Sequence, residues 1–217
     1  MLAIAFAVIL KELRSKRLAK FTQSVMFFPT FISWVIVGYF TYALFSTDSG
    51  LMNSVRCYFG APPIQWYNEP SHWPFILTVA SNWKGVGYST VIYLAGIYGI
   101  NEEYYEAARV DGAGRLRQLF SITLPLLTPL IIILTLLSIG RIMYADFGLF
   151  YNLTRDTGPL YPTTLVFDTY IYRALRRTTG SLGISSAANF VQAVVGFVLV
   201  LSANLAVRKI DPDKSLF

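Results

Sequence analysis

The stretch Asn101-Glu102-Glu103-Tyr104-Tyr105-Glu106-Ala107-Ala108-Arg109-Val110-Asp111-Gly112-Ala113-Gly114 is polar and lies between two long apolar runs, and its reading decides the rest. Asn101 is a good N-cap, and Glu102 and Glu103 complement the positive end of a helix dipole. Tyr104 to Ala108 suit a helix. Gly112 and Gly114 then let the chain turn where a residue with a Cβ would be strained. Arg115–Ser121 can form a second short helix before Leu124-Pro125, where proline suits a first helical turn. The expectation is a two-turn helix, a tight bend and another helix, exposed between two spans. Ala107 and Ala108 present almost no side chain, so another surface can approach the backbone closely. Glu106, Arg109 and Asp111 supply charges that can orient it.

The apolar runs on either side set the class. Of the 217 residues 54% are apolar and 14% charged, with a mean hydropathy of +0.50. A soluble domain carries about a quarter charged residues, so the composition is that of a membrane protein. The net charge of +6 sits in short basic blocks beside apolar runs, as in cytoplasmic loops, and does not call for nucleic acid. About 20 apolar residues cross a bilayer as a helix. Four segments meet that length: Phe21–Phe45, Phe75–Tyr98, Leu124–Tyr144 and Ile184–Val207. Leu2 to Leu10 is apolar but too short, and reads as the inner end of a further helix. The expected fold is all-α: a polytopic transmembrane bundle with four full spans and a partial N-terminal one, in a single membrane domain over 1–217.

Basic residues near span ends set orientation. Lys11–Lys20 holds five basic residues and one acid and is expected in the cytoplasm. Alternation places Thr47–Trp73 outside, Gly99–Thr123 inside, the connection after Tyr144 outside, and the tail with Arg208, Lys209 and Lys214 inside. Arg155, Arg173, Arg176 and Arg177 in the outer segment run against the rule, and Asp146, Asp156 and Asp168 offset them. Thr47–Trp73, with Gly50, Gly60, Pro62-Pro63 and Pro70, reads as a turn-rich connection without helical periodicity, as does Thr154–Thr163.

Glu106-Ala107-Ala108, three residues, Gly112, nine residues, Ile122, one residue and Leu124-Pro125 resembles the EAA signature of binding-protein-dependent ABC importer permeases. Phe31-Ile32-Ser33-Trp34-Val35, Tyr104 to Ala113, Asp168-Thr169-Tyr170-Ile171-Tyr172-Arg173 and Arg208-Lys209-Ile210 resemble the polysaccharide and oligosaccharide branch of that family. The resemblance covers essentially the whole chain. Such permeases typically have six spans, so it implies that the first and most of the second are missing here. It also implies a second permease subunit in a heterodimer, two ATPase subunits carrying ATP and Mg, and an extracytoplasmic solute-binding protein. Within the coupling loop 99–123, the Glu106–Gly112 helix would seat in a groove on the ATPase and move with it, uniting Glu106, Ala107, Ala108, Arg109, Asp111, Gly112, Ile122, Leu124 and Pro125 in one role. No cofactor is expected on this chain.

Polar groups inside spans are costly and mark pathways or helix contacts. Asn82, Trp83 and Tyr88 in the second full span and Tyr144 at the end of the third combine amide and aromatic side chains, the mixture that binds sugars. Lys84 lies near enough to the outer end to snorkel. Arg141 and Asp146 can pair or sit in interfacial water. The arginines at 155, 173, 176 and 177 favour an acidic saccharide or serve as docking and surface charges. The sole histidine, His72, the sole cysteine, Cys57, and the lack of a GxxxxGK[ST] loop or serine elbow leave no basis for an enzyme. The alternative is a secondary transporter of another small polar solute, which would carry paired broken helices and an inverted repeat.

Overall fold

Backbone N–H and C=O groups in hydrocarbon have to be satisfied within their own segment, and this chain meets the demand with helices. The computed structural model describes residues 1–13, 15–177 and 182–211, and every regular element among them is helical. The principal helices are Leu2–Glu12, Lys16–Phe27, Trp34–Phe45, Leu51–Tyr58, Trp73–Tyr98, Glu102–Val110, Arg115–Gly140, Phe147–Leu153, Phe167–Arg177 and Leu182–Ile210. Arg14 of the basic block, the Arg177 side chain and Lys214 of the tail lie outside the described residues.

Arg115–Gly140 and Leu182–Lys209 are long and apolar enough to cross a membrane, and Lys16–Phe31 with Trp34–Phe45 makes a third if that broken pair is one span. Trp73–Tyr98 has the length at 26 residues, but Asn82, Lys84, Gly85 and Gly87 dilute its apolar character. The expected continuous span Phe21–Phe45 is corrected: its helix ends in a tight turn at Phe28–Phe31, and a new helix starts at Trp34. Pro29 lacks the N–H that would continue the ladder. Ser33 is extended, and its hydroxyl accepts from the Ile36 N–H at 3.4 Å, capping the second helix.

The chain clusters into two compact units. One comprises Met1–Thr30, Lys84–Gly140 and Val198–Phe217. Its core is Ala7, Leu10, Leu94, Ile97 and Leu127, with Met26, Tyr93 and Leu130 packed against it. A Cβ at Gly87 would run into the Met26 carbonyl, so glycine there lets two backbones touch. The Thr30 hydroxyl donates to the Lys84 carbonyl at 3.0 Å beside that contact.

The other unit comprises Phe31–Trp83 and Arg141–Phe197. Its core joins Val37, Trp73 and Leu77 to Leu149, Leu153 and Leu160. Trp34 donates from Nε1 to Asp146 Oδ2 at 2.6 Å, while Asp146 Oδ1 caps the helix Phe147–Leu153 at the Leu149 N–H. Asp146 is thereby engaged by Trp34 and its own helix rather than by Arg141. A Cβ at Gly148 would strike the Trp34 ring, and one at Gly38 would lie 2.8 Å from the Asn152 carbonyl oxygen. Both glycines press helices Trp34–Phe45 and Phe147–Leu153 together.

Two segments expected as loops are built structure. Thr47–Trp73 contains the helix Leu51–Tyr58, organised by Asn53, which is only 4% exposed. Its amide donates to the carbonyls of Thr47 (3.1 Å) and Ile64 (2.8 Å), and its oxygen accepts from the Ile64 N–H and Trp66 Nε1, both at 3.0 Å. The Tyr67 hydroxyl donates to the Leu153 carbonyl at 3.2 Å. Burial pushes that phenol up to about 12, against the opposing pull of Arg155, so it stays a neutral donor. Thr154–Thr163 is largely taken up by the short helical turns Gly158–Leu160 and Tyr161–Thr164; around it Asp168 accepts from the Ala145 N–H at 2.9 Å, and Arg173 pairs with Asp156 at 3.4 Å.

Gly148→Leu forces a side chain into the Trp34 ring and is expected to cost about 1–3 kcal/mol, the usual range for overpacking. Gly158→Ala, where a Cβ meets nothing within 4 Å, serves as the control. Thermal unfolding in detergent micelles checks the pair: the melting temperature should fall for Gly148→Leu and hold for Gly158→Ala.

Candidate functional site

The loop between Trp73–Tyr98 and Arg115–Gly140 is set by its own sequence at both ends of one short helix. Asn101 Oδ1 accepts from the Glu103 N–H at 3.1 Å, and its Nδ2 donates to the Glu103 carboxylate at 3.1 Å. Helix Glu102–Val110 follows, with Glu102 and Glu103 in its first turn and Arg109 in its last, charges that match the helix dipole at both ends. At the exit the Gly112 N–H donates to the Arg109 carbonyl (3.1 Å) and the Ala113 N–H to that of Ala108 (2.8 Å). These two bonds are the Schellman arrangement, and they hold Gly112 at φ +74°. A Cβ at Gly112 would meet nothing within 4 Å, so backbone conformation and not space selects glycine. Gly114 differs from the expectation: its φ of −66° is open to any residue, and it serves as N-cap of the next helix.

The expected separate helix over Arg115–Ser121 is corrected as well. The chain is helical from Arg115 to Gly140, with a widened turn at Leu119–Thr123 in which the Leu124 N–H reaches back to the Leu119 carbonyl. α-Helical geometry resumes at Leu124, and Pro125 stands in the first turn of that stretch. Such widened turns accompany functional positions in helices. Pro129 lies inside the helix.

Glu106, Ala107, Arg109, Asp111, Gly112 and Pro125 are exposed, and Ala108, Ile122 and Leu124 are half-buried. Glu106 and Arg109 form a long, exposed pair at 3.9 Å, a contact of little stabilising weight. Exposed apolar side chains stand among these charges, Val110 at 89% and Leu116 at 73%, with Tyr104 and Phe120 nearby. Exposed Ala107 and Val110 lie three residues apart on this helix, next in sequence to Glu106, Arg109 and Asp111, and suit a partner that buries them.

Tertiary contacts tie this loop and the start of the following helix to the rest of the unit. The Tyr105 hydroxyl meets the Thr123 hydroxyl at 2.9 Å, the Lys11 ammonium lies 3.5 Å from the Tyr105 ring centre, and Arg115 pairs with Glu12 at 3.0 Å. A cavity of about 1040 Å³ lies beneath, lined by Lys11, Glu12, Tyr105, Arg109, Arg115 and Gln118 among others. Sequence reading missed these anchors because Lys11 and Glu12 read there only as an orientation signal, far from the loop along the chain.

The four substrate-path candidates are exposed, and none lines this cavity. Asn82 donates to the Thr78 carbonyl at 2.8 Å, and Tyr88 stacks on Phe27 with ring centres 6.4 Å apart. Trp83 is beside Asn82 on the same helix, and Tyr144 sits in the turn after Gly140, its N–H donating to the Arg141 carbonyl at 2.9 Å. Among the described residues no group of acids, histidines and cysteines has the makings of a metal site.

Known proteins share this architecture. The chain is 38% identical over 212 residues to the polygalacturonan/rhamnogalacturonan transport system permease protein YteP of Bacillus subtilis (strain 168), covering 97% of this chain and 64% of that protein. It is 31% identical to protein LplB of the same organism, over 97% of this chain and 65% of the relative. The chain thus spans a little under two thirds of the length of these two relatives. A crystal structure of a bacterial alginate ABC transporter, in complex with an alginate pentasaccharide-bound periplasmic protein, superposes with a TM-score of 0.87 at 33% identity, covering 96% of this chain and 72% of that one. The family of binding-protein-dependent transport system inner membrane components matches residues 3–215. With its exposed loop and its apolar helices, this chain belongs to that family.

Proposed function

We propose that this chain is the permease subunit of an ATP-driven importer that moves oligosaccharides inward across the cell membrane, acidic ones among them. The observation that carries the reading is the loop Glu106–Pro125: a capped, exposed helix closed by a left-handed glycine and anchored on two further helices. Family membership supports the permease role. The relatives named for polygalacturonan/rhamnogalacturonan and for alginate support a saccharide substrate, and the periplasmic protein in the alginate complex supports delivery by a solute-binding protein.

In this reading Trp73–Tyr98 and the broken pair Lys16–Phe31 and Trp34–Phe45 also cross the membrane, completing four spans in a multi-pass arrangement. The loop 99–123 faces the cytoplasm. Two ATPase subunits, which bind ATP and Mg, dock on it, and a second permease subunit completes a heterodimer. Coupling demands a contact whose strength differs between the two states of the transporter. Exposed Ala107 and Val110 offer such a contact to a groove. The lever beneath it is stiffened by Tyr105–Thr123 and Arg115–Glu12, so displacement of Glu102–Val110 is passed to Arg115–Gly140 rather than absorbed locally. Asn82, Trp83, Tyr88 and Tyr144 line the substrate path.

Glu106→Lys loses only an exposed pair, whereas Gly112→Asp has open space but puts a Cβ on a backbone held at φ +74°, a strain confined to the exposed helix exit. Both should insert and assemble normally yet lower ATP-driven uptake in proteoliposomes by roughly tenfold or more, the equivalent of about 1.4 kcal/mol in coupling. Normal uptake by either variant would remove the loop from its assigned role. Alanine at Trp83, Tyr88 or Tyr144 should leave assembly intact and raise the oligosaccharide concentration for half-maximal ATPase stimulation several-fold. Unchanged stimulation would take that residue off the path.

A further inference from the structure

Apart from the loop and the path candidates, the unit Phe31–Trp83 and Arg141–Phe197 holds a hollow of about 190 Å³ lined by Val35, Gly38, Tyr39, Tyr151, Asn152 and Arg155. Its walls are fixed. Gly38 lies against the Asn152 backbone, Gly148 makes room for the Trp34 ring, and the Trp34–Asp146 bond at 2.6 Å locks the two wall helices. The Tyr151 ring is stacked on Phe147 at 5.0 Å and edge-on to Tyr172 at 5.1 Å, so its position is set from behind. Asn152 spends its amide N–H on the Gly148 carbonyl at 2.8 Å, which orients its carboxamide.

Arg155 is the unusual member. It and Asp156 have φ of 54° and 51°, two successive non-glycine residues in the left-handed region. Backbones held this way cluster at functional sites. The conformation is kept by Asp156, which pairs with Arg173 at 3.4 Å and accepts from the Tyr161 hydroxyl. It places the Arg155 guanidinium 4.1 Å from the Tyr42 ring centre. Among the described residues no carboxylate lies within 4.0 Å of Arg155, whereas its neighbour Arg173 has one. An arginine held in place by a ring yet given no anion, beside two phenols and an amide, is equipped to receive an anion from outside. Guanidinium matches a carboxylate through two parallel hydrogen bonds. Pockets for drug-sized ligands run to about 300–1,000 Å³, so this smaller hollow takes one ring and not a chain.

We propose that this hollow is a subsite for a single uronate ring of an acidic oligosaccharide. Arg155 takes the carboxylate, the Asn152 carbonyl oxygen accepts from a ring hydroxyl, and Tyr39 and Tyr151 lie against the C–H faces. The proposal rests on the oligosaccharide-permease reading and adds to it a residue that selects charge.

The test uses the complete transporter, with its ATPase and binding protein, in liposomes. Uptake of trigalacturonate is compared with uptake of its carboxyl-reduced, neutral counterpart. Arg155→Gln should raise KM for trigalacturonate about tenfold and leave KM for the neutral sugar unchanged, Arg155→Lys should fall between, and Tyr151→Ala should raise both. Equal changes for the two sugars in Arg155→Gln, or none, overturn the subsite while the permease reading stands. Failure of the unaltered transporter to take up either sugar overturns the acidic-oligosaccharide part of the proposed function, and the subsite falls with it. A second measurement keeps Arg155 in place: Tyr39→Cys in a Cys57→Ser background should react with a maleimide more slowly when trigalacturonate is present, and not when the neutral sugar is. Identical rates under both conditions overturn the proposal even if Arg155→Gln does not assemble.

Discussion

Every interruption of a helix in a membrane protein frees backbone groups that hydrocarbon cannot satisfy, and the architecture of this chain follows from where those groups find partners. At four of the breaks a polar side chain stands ready. Ser15 accepts from the Leu18 N–H, Ser33 from Ile36, Asn101 from Glu103 and Asp146 from Leu149. The turn after Gly140 is satisfied from further away: Gln192, fully buried, donates to the Met143 carbonyl at 2.8 Å, and Asp168 accepts from the Ala145 N–H. Polar residues inside apolar helices therefore need not mark a substrate path. Several of them are caps and latches for the breaks.

Those breaks give the molecule its two kinds of surface. In one unit the break at Asn101 and the turn at Gly112 expose a short helix, supported by Leu2–Glu12 and Arg115–Gly140. Its exposed Val110 stands at the end of a helix capped at both ends. In the other unit the breaks at Ser33 and Asp146 start two helices that glycines press together, leaving a hollow with a charged rim. One surface suits a protein partner and the other a small polar ligand.

The charged residues after Tyr144 illustrate the same economy. Composition presents them as an excess of arginine partly cancelled by aspartate. In the fold Asp146 and Asp168 serve backbone and indole N–H groups, Asp156 holds Arg173, and Arg155 lines the hollow over an aromatic ring. Counting charges along the sequence cannot reveal this, because each carboxylate is committed to a different kind of donor.

The sequence by itself determined the helical class, the apolar character of the spans, the cap at Asn101, the need for glycine at 112 and the family signature from Glu106 to Pro125. All of these depend on residues within a few positions of one another, where propensity and spacing act directly. The helix Leu51–Tyr58, the packed helices between Ala145 and Arg177, the anchoring of Tyr105 and the pairing of Gly38 with Asn152 were decided by tertiary structure. Each rests on partners far apart in the chain, such as Trp34 with Asp146, or on a buried network such as that of Asn53. Turn-rich composition marks such segments as interruptions of a span, but only the neighbours that bury their apolar faces make them helices.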